Sequence, residues 1–113
     1  MKLHPAPPDT GIIFIRSDKN TRIEAKAEKV VATEFSSTLG MNGSSVRTVE
    51  HLLAAAAGLN IDNMFVELNA SEVPIMDGSS YPLVELMLKS GIVQQDKIRT
   101  HIRILDTIEI KGG

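Results

Sequence analysis

The sequence predicts an α+β fold: a two-layer sandwich with a mostly antiparallel sheet and two helices packed on one of its faces. Three observations carry this. Strand-like runs at Gly11 to Arg16, Met64 to Leu68 and Ile102 to Ile110 are separated by two helical patterns, one ending near Gly58 and one near Ser90. The chain has 113 residues, room for one core and not two. Hydrophobic side chains make up 42% of it, and eight glycines add to an ordinary globular composition.

Each element has a local reason. Pro5, Pro7 and Pro8 with Asp9-Thr10-Gly11 make a turn segment, since prolines lack an N–H donor and restrict their neighbours. Ile12-Ile13-Phe14-Ile15-Arg16 is a β-rich run, and the polar Ser17 to Thr21 after it suits a hairpin turn. From Arg22 to Glu28 the pattern alternates, with Ile23, Ala25 and Ala27 on one face, which predicts a half-buried strand. Gly40 to Ser45 reads as a loop leading into the clearest helix. There Val49, Leu52, Leu53 and Ala56 form one stripe, with Ser45 or Thr48 as N-cap and Gly58 as a left-handed stop. Met64 to Leu68 is a strand and Pro74 to Ser80 a turn. A second helix runs from about Ser80 to Ser90, with Pro82 in its first turn and Gly91 as its stop. The last strand places Ile102, Ile104, Ile108 and Ile110 on one face.

Composition excludes several functions. Twelve Lys and Arg against fourteen Asp and Glu leave a net charge of −2, not the basic excess of a nucleic-acid binder. With no cysteine there are no disulfides, thiolate metal sites or cysteine nucleophiles. The first residues hold no apolar run that reads as a signal peptide, and the longest apolar run, near Leu52 to Ala57, is too short to span a membrane. The expectation is a soluble, cytoplasmic domain.

Chemistry has few places to sit. His4 and His101 have no carboxylate or histidine at ligand spacing and read as surface or strand-edge residues. No Gly-x-Ser-x-Gly elbow and no phosphate-cradling glycine motif occurs. The pair Glu50-His51 stands out in the first turn of the best helix, where the positive end of the dipole disfavours a charged imidazole and leaves the neutral form that binds metal. The helical zinc patterns are not met, because position 55 is Ala and position 47 is Arg. Adjacent helix residues also point about 100° apart, so the two side chains do not simply share an ion. The plain reading is a dipole-favoured glutamate beside a half-buried histidine.

At this helix the sequence resembles a known family. Ser45-Val46-Arg47-Thr48-Val49-Glu50-His51-Leu52, followed by Ala55-Ala56-Ala57-Gly58-Leu59-Asn60-Ile61-Asp62-Asn63, is similar to the signature of UDP-3-O-acyl-N-acetylglucosamine deacetylases, the zinc amidases that commit bacteria to lipid A synthesis. A second match follows at Asn69-Ala70-Ser71-Glu72-Val73-Pro74-Ile75-Met76-Asp77-Gly78-Ser79, and Leu3 to Pro7 with Thr10, Gly11 and Ile13 resembles the family's early strand and turn. The resemblance implies a ribosomal protein S5 domain 2-like fold and a zinc ion held by two histidines and an aspartate. His51 matches the first histidine ligand and Glu50 the general base, whose partner is the zinc-activated water and not the ion. Asp77 matches the family's Met-Asp-Gly segment and is a candidate for supporting the site, against the plain reading of an Asp-Gly turn. Phe35 and Ser36 lie in Thr33 to Thr38, which aligns with a segment bordering the substrate site; strand or turn packing is the alternative.

The departures set further expectations. The second histidine and the aspartate ligand belong to a His-x-x-x-Asp motif of the family's C-terminal domain. A Gly-Leu-His-Ser/Thr-Gly strand precedes the matched region in the family. Residues 1–113 are therefore expected to be an N-terminal deacetylase domain without that first strand and without the C-terminal domain. Such a chain alone is expected to be inactive, to lack a tight zinc site, and to self-associate through exposed sheet edges and uncovered apolar surface. The expected substrate of the complete enzyme is UDP-3-O-acyl-N-acetylglucosamine, with no nucleic-acid partner. The rival reading from another class is a non-catalytic binding or scaffold module that retains the domain's shape.

Overall fold

Phe14 is the residue around which the larger sheet is built. In the computed structural model, which describes residues 1–33, 37–41, 43–95 and 107, it lies in β2 (Ile12–Arg16), opposite Ile23 of β3 (Thr21–Glu24) and Val66 of β7 (Met64–Leu68). All three side chains are fully buried. β1 (Lys2–Pro5) pairs antiparallel with β7, giving the order β1-β7-β2-β3; only the β7–β2 pair is parallel. Alternation does the sorting. Met64, Val66 and Leu68 of β7 enter the core, while Phe65 and Glu67 are half-exposed on the other face.

A smaller antiparallel sheet has the order β4 (Val30–Ala32), β5 (Thr38–Met41), β6 (Ser44–Arg47). Two helices complete the described chain, α1 (Glu50–Gly58) and α2 (Tyr81–Ser90). Leu52, Ala55 and Ala56 of α1 and Leu83 and Met87 of α2 join Phe14, Ile23, Leu39, Val46 and Val66 in one core. The chain is thus α+β, with mostly antiparallel strands and two helices. Its strands are divided between two sheets.

Several elements sit where local signals place them. The β2–β3 hairpin and β7 form as expected. In α2, Pro82 falls in the first turn, where its missing N–H has no role, and Gly91 ends the helix at φ +84. Other expectations are corrected. The strand expected over 22–28 stops at Glu24, because its partner runs out. Ala25 N–H donates to the Ile12 carbonyl at 2.9 Å, the last bond of that ladder. Beyond it Gly11 turns to the β7 side: its N–H donates to Asn63 Oδ1, and its carbonyl accepts from Met64 N–H. Ala27–Lys29 then form one 3-10 turn.

Gly40 to Ser45 is not a loop. Leu39↔Val46 and Gly40↔Ser45 are paired residues of a β5–β6 hairpin, and Gly43 takes φ +76 at its turn. Neither Ser45 nor Thr48 caps α1. Ser45 is paired in β6, and Val49 precedes the helix with no side-chain cap bond. Nor is Gly58 the left-handed stop. Asn60 is, at φ +57, with Ile61 N–H donating to the Ala56 carbonyl at 2.8 Å and Asn60 N–H to that of Ala57 at 3.1 Å. That pair of bonds is a Schellman ending, with Asn in the place Gly usually takes. The strand expected across Ile102 to Ile110, and His101 before it, lie outside the described residues.

Candidate active site

The β6–α1 junction fixes Glu50 and His51 from two directions. β6 delivers the chain to Thr48, which adopts φ +62, and α1 begins at Glu50. The Ser37 carbonyl accepts from Thr48 N–H at 2.9 Å and from Val49 N–H at 3.4 Å. In return, Ser37 N–H donates to Glu50 Oε2 at 3.1 Å. The Glu50 carboxylate is therefore held beside the start of β5. Phe35 and Ser36 lie outside the described residues. From the segment expected to border the site, the structure brings Ser37 against the start of α1, while Thr38 pairs with Arg47 in the β5–β6 ladder.

His51 is held through its backbone. Its carbonyl accepts from Ser80 Oγ at 2.9 Å, which ties the first turn of α1 to the residue before α2. The imidazole is half-buried. Asp77 stands nearby in the turn before α2, where its Oδ1 accepts from Ser79 Oγ at 2.6 Å and Ser79 N–H at 2.9 Å. The Ser79 hydroxyl, then the Ser79 amide, hold the Asp77 carboxyl below its ordinary value, and His51 adds a smaller pull of the same sign. Glu50 and His51 thus open α1, and Asp77 lies within electrostatic reach of His51 in the turn before α2. His4 lies elsewhere, exposed on β1 and 3.9 Å from Glu67, as expected for a strand-edge residue.

The donor set of the described residues is short for a metal site. Among the described residues, no group of three or more His, Cys, Asp or Glu side chains is placed to hold one ion. A catalytic zinc needs three protein ligands, so His51 can be one donor and does not make a site by itself. Reading from sequence missed three contributors here: Ser37, Glu72 and Ser80. Thr48 was expected as a helix cap. Its hydroxyl instead donates to Glu72 Oε2 at 2.9 Å, a contact across 24 residues that no local pattern announces.

The ensemble of β6–α1 junction, helix and Asp-Gly turn falls within a single family match. The family model described as UDP-3-O-acyl N-acetylglycosamine deacetylase covers residues 1–113. The chain belongs to this family. A UDP-3-O-acyl-N-acetylglucosamine deacetylase of Xanthomonas oryzae pv. oryzae is 48% identical over 115 residues, covering 100% of this chain and 38% of its own length. The protein of the same name from Psychrobacter cryohalolentis is 49% identical over 113 residues, covering 98% of this chain and 35% of its own length. The chain therefore spans little more than a third of the relatives it matches. No helix among the described residues is long and apolar enough to cross a membrane.

Proposed function

We propose that this chain supplies the general base and one metal ligand of a zinc-dependent enzyme that hydrolyses the N-acetyl amide of UDP-3-O-acyl-N-acetylglucosamine in cytoplasmic lipid A biosynthesis. The observation that carries the reading is the placement of Glu50 and His51. They are consecutive residues at the start of α1, one anchored through its carboxylate to Ser37 and the other through its carbonyl to Ser80. This separates their roles. His51 offers an imidazole nitrogen to the ion, and Glu50 stays off the ion to handle a proton.

Bound zinc would supply a water of lowered pKa and polarise the amide carbonyl. Glu50 takes a proton from the attacking water as its oxygen bonds to the acetyl carbon. The C–N bond then breaks, the proton is delivered to the departing nitrogen, and acetate and the free amine result, with one water consumed. Asp77, anchored by Ser79 in the turn before α2, supports the site from the His51 side. The remaining ligands come from outside the described residues.

The test uses a full-length family deacetylase carrying this segment. Glu50→Ala should lower kcat by roughly 100- to 10,000-fold, the range for removing a general base, with zinc content unchanged. His51→Ala should lose zinc. Loss of zinc from the Glu50 variant, or full turnover by it, would overturn the assignment.

A further inference from the structure

Thr48 occupies a conformation that β-branched residues avoid. It has φ +62 and is 7% exposed. A backbone of this kind persists only where its surroundings over-determine it, and such residues cluster at working sites. Three sets of bonds hold it. Thr48 Oγ1 donates to Glu72 Oε2 at 2.9 Å. Arg47 N–H donates to the Ser71 carbonyl at 2.7 Å, and Val73 N–H to the Arg47 carbonyl at 3.1 Å, pinning the residue before it. Thr48 N–H and Val49 N–H both donate to the Ser37 carbonyl.

The last set leads to the site, because Ser37 N–H is the donor to Glu50 Oε2. A relaxed Thr48 would swing its N–H off Ser37, and Ser37 would no longer meet the carboxylate. We propose that Thr48 and Glu72 are a positioning pair that fixes the Glu50 carboxylate through Ser37. Neither touches the reacting atoms. Glu72 holds the Thr48 hydroxyl, Thr48 holds the left-handed turn, and the turn holds Ser37 against Glu50. The proposal rests on the reading of Glu50 as general base.

Two experiments test it. In this chain, hydrogen exchange of the Ser37 amide should accelerate about tenfold in Thr48→Val and Glu72→Ala, the scale of one lost charge-assisted hydrogen bond, while amides of β2 and β7 keep their protection. In a full-length family deacetylase carrying the segment, both variants should lower kcat about tenfold with KM little changed, the signature of an interaction that matters only in the transition state. Thr48→Ser, which keeps the hydroxyl, should recover most of the loss. A merely structural pair would move stability and leave this split and the Ser37 amide alone. Should Thr48→Val fail to fold, Glu72→Ala decides. Folded variants with native Ser37 exchange and native kcat overturn the proposal, provided Glu50→Ala is itself inactive. An active Glu50→Ala overturns the functional reading instead.

Discussion

The Arg16 guanidinium donates to the backbone carbonyl of Ser45 at 2.7 Å, joining β2 of the larger sheet to β6 of the smaller. At 4% exposure, Arg16 is the one ion-forming side chain buried among the described residues. Its other nitrogens fork onto Asp18, with Nε to Oδ1 at 2.9 Å and Nη2 to Oδ2 at 2.7 Å. Such bidentate geometry lets a guanidinium lie inside a fold without an unpaired donor.

Stability should therefore depend on the charge of Asp18. The hydrogen bond from Arg16 holds the Asp18 carboxyl below its ordinary value. A depressed folded pKa contributes stability that is present above the unfolded value, about pH 4, and is lost as pH falls through the folded one. Urea midpoints taken from pH 7 downward should show Asp18→Asn less stable than wild type at neutral pH. The gap should close in acid. A gap independent of pH would remove the linkage.

The core should answer to burial and not to the motif. Leu52 is fully buried in α1, whereas Leu53 is half-buried beside it. Leu52→Ala should cost about 2–5 kcal/mol in denaturant unfolding, and Leu53→Ala distinctly less. Equal losses would mean that α1 packs in another rotation.

Taken alone, the 113-residue chain should neither hold zinc tightly nor turn over UDP-3-O-acyl-N-acetylglucosamine. Among the described residues His51 is the one imidazole assigned to the ion, a third of a catalytic ligand set. Equilibrium dialysis against zinc, with an assay of released acetate, checks both. Stoichiometric zinc surviving a chelator, or activity absent from the His51→Ala control, would contradict this.

Self-association is expected through the outer side of α2. Tyr81 and Leu88, two turns apart on one side of that helix, are 64% and 57% exposed. Sedimentation velocity should show a concentration-dependent rise in mass that Leu88→Glu reduces. A monomer across the whole range would exclude such a contact.

What could be read ahead depended on how far each signal reaches along the chain. Pro82 and Gly91 act on their own backbone, so the span of α2 followed from them. Glu50 and His51 were visible because a short motif carries them. The β5–β6 hairpin was missed because Gly40, Ser44 and Ser45 are poor strand formers, and cross-strand pairing supplies what their propensity does not. Ala25 alternates correctly for a strand, yet the ladder ends where Gly11 turns to Asn63 and Met64. Thr48 was expected to cap a helix because a nearby helix is the only partner a linear reading offers. Its actual partner, Glu72, becomes a neighbour only after the fold forms.

The parallel pairing of β2 with β7 has a kinetic consequence. Ile12 meets Met64 only after the intervening chain closes as one large loop, an entropic cost that local hairpins such as β5–β6 avoid. That loop contains Ser37, Thr48, Glu50 and His51. The closure that completes the central sheet thus also gathers the β6–α1 junction, so substitutions that slow β2–β7 docking should delay the appearance of the candidate site as much as that of the core.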